Sequence, residues 1–201
     1  MKKKVLITIL FIAIINSLSA QLAIGPKIGL NISKEVSGVE PIDESVNFKK
    51  GLNIGVFGKY KFNGKLGIQT ELLYSQQGLR NNVSVSDVEG MIIADNYNIL
   101  SHYLNVPVLL KYYPFKYFYI EAGPQFGYCF EAKISSDDYL SDGNISFGYN
   151  KVDSYLVGGI GVDIGCGLSI NARYNHGFNH TLLSSKWKNR VIQLSLSYNL
   201  F

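Results

Sequence analysis

The chain has 201 residues, a formal net charge of +4, 17% charged and 13% aromatic residues, 20 glycines and 14 tyrosines. Abundant Gly and Tyr with few charges and few helix formers point to strands joined by turns. Lys2, Lys3 and Lys4 supply three of the positive charges, so the rest of the chain carries +1 and shows no basic stripe, which gives no reason to propose nucleic acid as a partner. Two cysteines, Cys129 and Cys166, are too few for a small disulfide scaffold.

Residues 1–20 read as a targeting segment. Lys2–Lys4 form a positive start, Val5 to Ile15 an apolar run, and Ser17, Leu18, Ser19 and Ala20 approach a small-residue cleavage site. The apolar run is shorter than the roughly 20 residues a helix needs to span a bilayer. This predicts a signal peptide over 1–20, export through the Sec pathway and a mature domain over 21–201. No Cys follows the apolar run, so a lipoprotein is not expected.

After Gln21 the recurring signal is alternation with period two, the mark of a strand with one apolar face. Leu22, Ile24, Pro26, Ile28, Leu30 and Ile32 alternate with Ala23, Gly25, Lys27, Gly29, Asn31 and Ser33. The same pattern predicts strands near 22–33, 51–62, 66–78, 101–113, 117–130, 152–164, 168–177 and 190–200. Asn63-Gly64 reads as a tight hairpin turn, and further tight connections fall at 114–116 and 165–167. Long connections fall at about 34–50, 79–100, 131–151 and 177–189, so tight and long ones alternate. An even strand count, short turns on one side and long loops on the other describe a transmembrane β-barrel. The fold class expected is all-β: an eight-stranded antiparallel up-and-down transmembrane β-barrel, with both ends of the mature chain on the periplasmic side.

The alternative is a soluble, lipocalin-like barrel with the apolar face inward. That would crowd rows of Tyr, Phe and Leu into a narrow lumen and leave glycines outside. With the apolar face on lipid, glycines and polar side chains fill the lumen, where small residues fit, and Tyr60, Tyr74, Tyr112 and Tyr198 lie where an aromatic girdle would sit.

Four segments, Gln69–Gly78, Tyr103–Tyr112, Tyr119–Gly127 and Ala172–Gly177, resemble the PorT-like outer-membrane β-barrel family of Bacteroidetes-type bacteria, and the resemblance covers residues 21–201. It implies an outer-membrane barrel placed by the barrel-insertion machinery, and PorT itself is tied to the type IX secretion and gliding apparatus. Such barrels often finish Tyr-x-Phe, whereas this chain finishes Tyr198-Asn199-Leu200-Phe201, one place out of phase.

Glu71, Glu121 and Arg173 share the lumen phase and lie at similar distances from their periplasmic turns, which predicts that they converge, with Gln69, Gln125 and Lys111 nearby. Buried charges need partners, so a structural ion-pair network that fills the lumen is the first reading, and a conduction or binding gate the sharper one. His102 and His176 fall on the lipid-facing phase near the outer rim, and His180 in a loop. Ser101 adjoins His102 but faces the other way, and no G-x-S-x-G elbow or metal-ligand spacing is present, so no catalytic residue, metal or cofactor is expected. Eleven of the 15 carboxylates fall in the outer loops, including Asp87, Glu89, Asp137, Asp138 and Asp142. Their spacing does not match an EF-hand loop, so solvated loops are the first reading and a cation bridge to lipopolysaccharide the other.

Cys166 falls in a periplasmic turn and Cys129 near the extracellular end of its strand. At about 2.3 Å of axial rise per tilted residue they stand roughly 30 Å apart, against the about 7 Å a disulfide allows.

The function expected is a structural or interaction role in the outer membrane, accessory to secretion or envelope assembly. Its partners are lipid, lipopolysaccharide and envelope proteins reached through the loops. A narrow solute channel is the alternative and a lipid-modifying enzyme the third reading. An eight-stranded barrel has a lumen that side chains can fill, which argues against open diffusion.

Overall fold

A computed structural model of the chain describes residues 22–37, 46–86, 92–136, 143–144, 150–180 and 187–200. The strands are β1 (Leu22–Ser37), β2 (Val46–Lys61), β3 (Leu66–Ser86), β4 (Ile92–Tyr112), β5 (Phe118–Ser136), β6 (Gly143–Asn144), β7 (Val152–Asp163), β8 (Leu168–His180) and β9 (Trp187–Tyr198). The two-residue β6 pairs only with β5, beside Lys133 and Ile134. The other eight each pair antiparallel with the next, and β9 returns to β1 with Lys27 opposite Ser197 and Asn31 opposite Gln193, which closes the ring. The fold is the expected eight-stranded antiparallel barrel. Closure gives each of these eight strands a partner on both sides, the condition hydrocarbon imposes on a spanning sheet.

Neighbouring residues on one strand differ sharply in exposure: Leu30 is 56% exposed and Asn31 1%. Ile28, Ile54, Leu72, Leu110, Ile160 and Leu194 all face outward, while Lys27, Glu71, Lys111, Glu121 and Arg173 are buried in the lumen. A water-facing barrel would show the reverse, so the alternation is that of a lipid-facing wall around a polar interior. The lumen is less polar than the sequence pattern suggests, since Phe57, Leu73, Leu109, Tyr155 and Val157 are also packed inside. Glycines make the room: a Cβ on Gly161 would fall 2.3 Å from Cζ of Tyr119.

The connections differ in two respects from those expected. The tight hairpin turn expected at Asn63-Gly64 is present, one residue longer than the 63–65 connection of the sequence pattern. The loop runs from Phe62 to Lys65, with Phe62 N–H donating to Leu66 O at 2.9 Å. Asn63 Oδ1 accepts from the backbone N–H groups of Lys65 and Leu66 at 2.8 and 2.7 Å. The side chain therefore holds the loop by an Asx arrangement and needs no left-handed residue.

The strands also run further than the apolar alternation, into parts of 34–50, 79–100, 131–151 and 177–189 that read as loops, and His180 closes β8 instead of lying in a loop. Backbone pairing needs no apolar side chains, so hairpins continue past the membrane after the alternation has ended. Near that boundary the β4–β5 register shifts at His102/Tyr103, where Phe130 is the extra residue. The bulge inverts the phase, so Ala132 is buried although even-numbered residues earlier in β5 face lipid. Residues 1–20, Asp87, Glu89, Asp137, Asp138 and Asp142 lie outside the described residues.

Candidate functional site: a charged cluster across the lumen

The register brings Lys111 opposite Glu121, Glu121 opposite Gly159, Gly159 opposite Arg173 and Arg173 opposite Gln193, so one ladder row crosses five strands. Gly159 stands between Glu121 and Arg173 without a side chain, and a Cβ there would lie 2.8 Å from Arg173 Cγ. Arg173 can therefore lie flat along the wall. Its Nε donates to Glu121 Oε1 at 2.6 Å and its Nη2 to Glu121 Oε2 at 3.2 Å.

The same guanidinium spans the lumen. Nη1 donates to Glu71 Oε2 at 2.8 Å and Nη2 to Glu71 Oε1 at 2.7 Å. Lys27 Nζ donates to both oxygens of Glu71 at 3.1 Å, and Lys111 Nζ stands 3.3 Å from Glu121 Oε2. Gln69 Nε2 donates to Glu71 Oε1. Lys111 Nζ also sits 3.6 Å above the Tyr119 ring, a cation–π contact away from water. Three cations and two carboxylates thus form one desolvated unit with a formal charge of +1. The planar guanidinium fork is what lets one side chain serve two carboxylates at once.

Glu71, Glu121, Arg173, Gln69 and Lys111 meet in this cluster. Gln125 does not: it is buried, and its Nε2 finds no partner among the described residues. Lys27 was not singled out by the sequence reasoning, although its lumen phase in β1 was visible. What hid its role is the register through β2, which sets Gly55 opposite Lys27 and so leaves the path from β1 to Glu71 on β3 open.

Further layers lie above and below. Towards the short turns, Lys59 and Lys61 each stand 3.5 Å from Asp163 Oδ2, and Ser169 Oγ donates to Asp163 Oδ1 at 2.7 Å. Towards the long hairpins, Asn189 Nδ2 reaches Asp153 Oδ2 at 3.1 Å, Tyr155 Oη at 3.2 Å and Tyr103 Oη at 3.3 Å. Between, Asn31 Nδ2 donates to Ser75 Oγ at 2.8 Å and Asn53 Nδ2 to Asn31 Oδ1 at 3.0 Å. Polar side chains therefore bridge the lumen at several heights.

His102 lies on the outer wall, its Nδ1 2.7 Å from Tyr74 Oη and its Nε2 3.9 Å from Glu131 Oε2, while Ser101 is buried in the lumen. The wall separates the two side chains. His176 packs outside near the Phe178 ring, with centroids 5.4 Å apart. Among the described residues no group of three His, Cys, Asp or Glu side chains is disposed to hold a metal ion. Cys129 is buried, Cys166 is exposed, and both are free.

The fold has solved counterparts. The attachment invasion locus protein Ail of Yersinia pestis superposes with a TM-score of 0.50 at 16% identity, covering 90% of this chain and 99% of that one. Neisserial surface protein A superposes with a TM-score of 0.56 at 9% identity, covering 88% and 97%. At such identities the likeness speaks for the fold alone. No curated protein matches the sequence. The outer membrane protein beta-barrel domain family, however, matches residues 16–183, spanning seven of the eight barrel strands and the whole charged cluster. The chain belongs to the family of outer membrane protein β-barrel domains.

Proposed function

We propose that this outer-membrane barrel is sealed and acts as an interaction protein, engaging envelope partners through its extracellular hairpins. The observation that carries this reading is Arg173, buried to 2% exposure and bound to both Glu71 and Glu121, with Lys27 and Lys111 completing the cross-brace. A solute would have to break an ion network buried in the lumen, and breaking one buried pair costs on the order of 3–5 kcal/mol. The charged cluster is accordingly a structural plug. β3 and β4 support the rest of the reading, since both continue well past the apolar band to Ser86 and from Ile92 and so lift a hairpin clear of the membrane.

Export through the Sec pathway with removal of residues 1–20, leaving 21–201 as the barrel domain, belongs to the same reading. So does a PorT-like role, accessory to secretion or envelope assembly. Placement of a photo-crosslinking residue at Ser135 in intact cells tests it. Adducts with one defined envelope protein are expected; a barrel that folds and yields none would contradict an interaction role.

A further inference from the structure

On the outer surface of the wall, three neighbouring strands change from apolar to basic near the edge of the apolar band. On β1 the outward residues run Leu22, Ile24, Pro26, Ile28, Leu30, Ile32 and then Lys34; on β2 they run Phe62 to Leu52 and then Lys50. On β9 they run Leu200, Tyr198, Leu196, Leu194 and Ile192, then Arg190 and Lys188. The step from Leu22 to Ile32 rises roughly 23 Å along the axis at about 2.3 Å per residue, close to the about 25 Å apolar band of such barrels. The basic side chains therefore emerge at the level of the outer-leaflet headgroups.

They are also neighbours. Lys34 lies directly opposite Arg190, Arg190 directly opposite His176, Lys188 opposite His180, and Lys50 opposite Ile32, diagonal to Lys34. Directly opposed residues have Cβ atoms about 4.5–5.5 Å apart, and like charges so placed repel. No carboxylate whose side chain is described pairs with Lys34, Lys50, Lys188 or Arg190, and from Ile164 to Phe201 the chain contains no Asp or Glu at all. Arg190 is held in place, its Nη1 donating to Gly177 O at 2.8 Å and Asn189 O at 3.0 Å. Its remaining N–H groups have no partner among the described residues. Lys34 Nζ stands 5.7 Å from the centroid of the Phe48 ring. The wall on the other side differs: Glu131 sits beside His102 and pairs with Lys133 at 2.9 Å. On the neighbouring strands β2, β1 and β9 the outward lysine and arginine side chains at this level thus have no ion-pair partner among the described residues.

We propose that this face binds the phosphate of an anionic outer-leaflet lipid, with Lys34 and Arg190 on either side of the phosphate and Lys50 and Lys188 flanking them. The apolar wall below receives the acyl chains. The lipid phosphate is the counter-charge that the register otherwise leaves out, and Arg190 presents the planar donor fork that suits it.

The test uses the full barrel in phosphatidylcholine nanodiscs titrated with a fluorescent bis-phosphorylated glycolipid, lipid A, and with the same lipid dephosphorylated. Tight, salt-sensitive binding of the phosphorylated form alone is expected. A variant carrying Lys34→Gln, Lys50→Gln and Lys188→Gln should lose on the order of a hundredfold in affinity at low salt, and Lys50→Gln alone about fivefold. Lys133→Gln on the opposite wall should leave binding unchanged. Lys50 is exposed, so its single variant keeps the test open if the triple variant does not fold. Equal binding of the dephosphorylated lipid, equal effects of Lys133→Gln and Lys50→Gln, or displacement by inorganic phosphate at lipid-equivalent concentration would each overturn the proposal.

Discussion

Arg173 and Glu71 reach each other from β8 and β3, four places apart on an eight-strand ring, and close a two-pronged pair at 2.8 and 2.7 Å across the lumen. The pair works as a strut: it ties opposite walls together through side chains, while the ladders tie only neighbours. Its charges are removed from water, so its strength depends on every member keeping a partner.

Arg173→Ala should therefore be severe. It leaves Lys27 as the one cation on Glu71 and Lys111 as the one on Glu121, and should cost about 3–5 kcal/mol. Urea unfolding of the barrel in detergent, followed by heat-modifiable gel migration, reads this directly. Arg173→Lys should lose most of the same stability, because one ammonium cannot hold both carboxylates in the guanidinium geometry. Wild-type stability for either variant would mean that the strut carries no load.

Gly159→Ala probes the same strut from the wall. Its Cβ would fall 2.7 Å from Ala172 O and 2.8 Å from Arg173 Cγ, where β7 and β8 pair. The side chain of Arg173 can yield but the carbonyl cannot, so a loss of roughly 1–3 kcal/mol is expected. In Arg173→Ala the same substitution should cost less, which a double-mutant cycle measures.

Much of this was legible in the sequence, because a barrel strand writes its two faces into alternate positions. The odd phase of Glu71, Glu121, Lys111 and Arg173 assigns them to the lumen from the sequence alone. Gln125 shares that phase and still stands apart from the cluster, because phase fixes the face but not the length or direction of a side chain. Lys27 needed the β1–β2–β3 register, which places only Gly55 between it and β3. The reach of β3 and β4 past the membrane was hidden because the apolar alternation ends there while backbone pairing does not. The Phe62–Lys65 loop starts one residue before the 63–65 connection expected, because the Asn63 side chain accepts from Lys65 and Leu66 and so fixes a slightly longer turn.

Cys129 and Cys166 give a topological check. One is buried in the upper lumen on β5 and the other exposed in the Gly165–Gly167 turn, at opposite ends of the barrel. A thiol reagent should modify one cysteine, Cys166, in the folded barrel and two after denaturation without reductant. Recovery of no thiol from denatured monomer would contradict the strand order.

The central claim, a lumen closed by its own charges, is tested most directly by current through the purified protein in planar bilayers. The wild-type barrel should show no steady open-channel conductance, whereas a folded variant in which Arg173, Glu71 and Glu121 are replaced by alanine together should conduct. A stable ohmic conductance from the wild type, unchanged in that variant, would contradict the account.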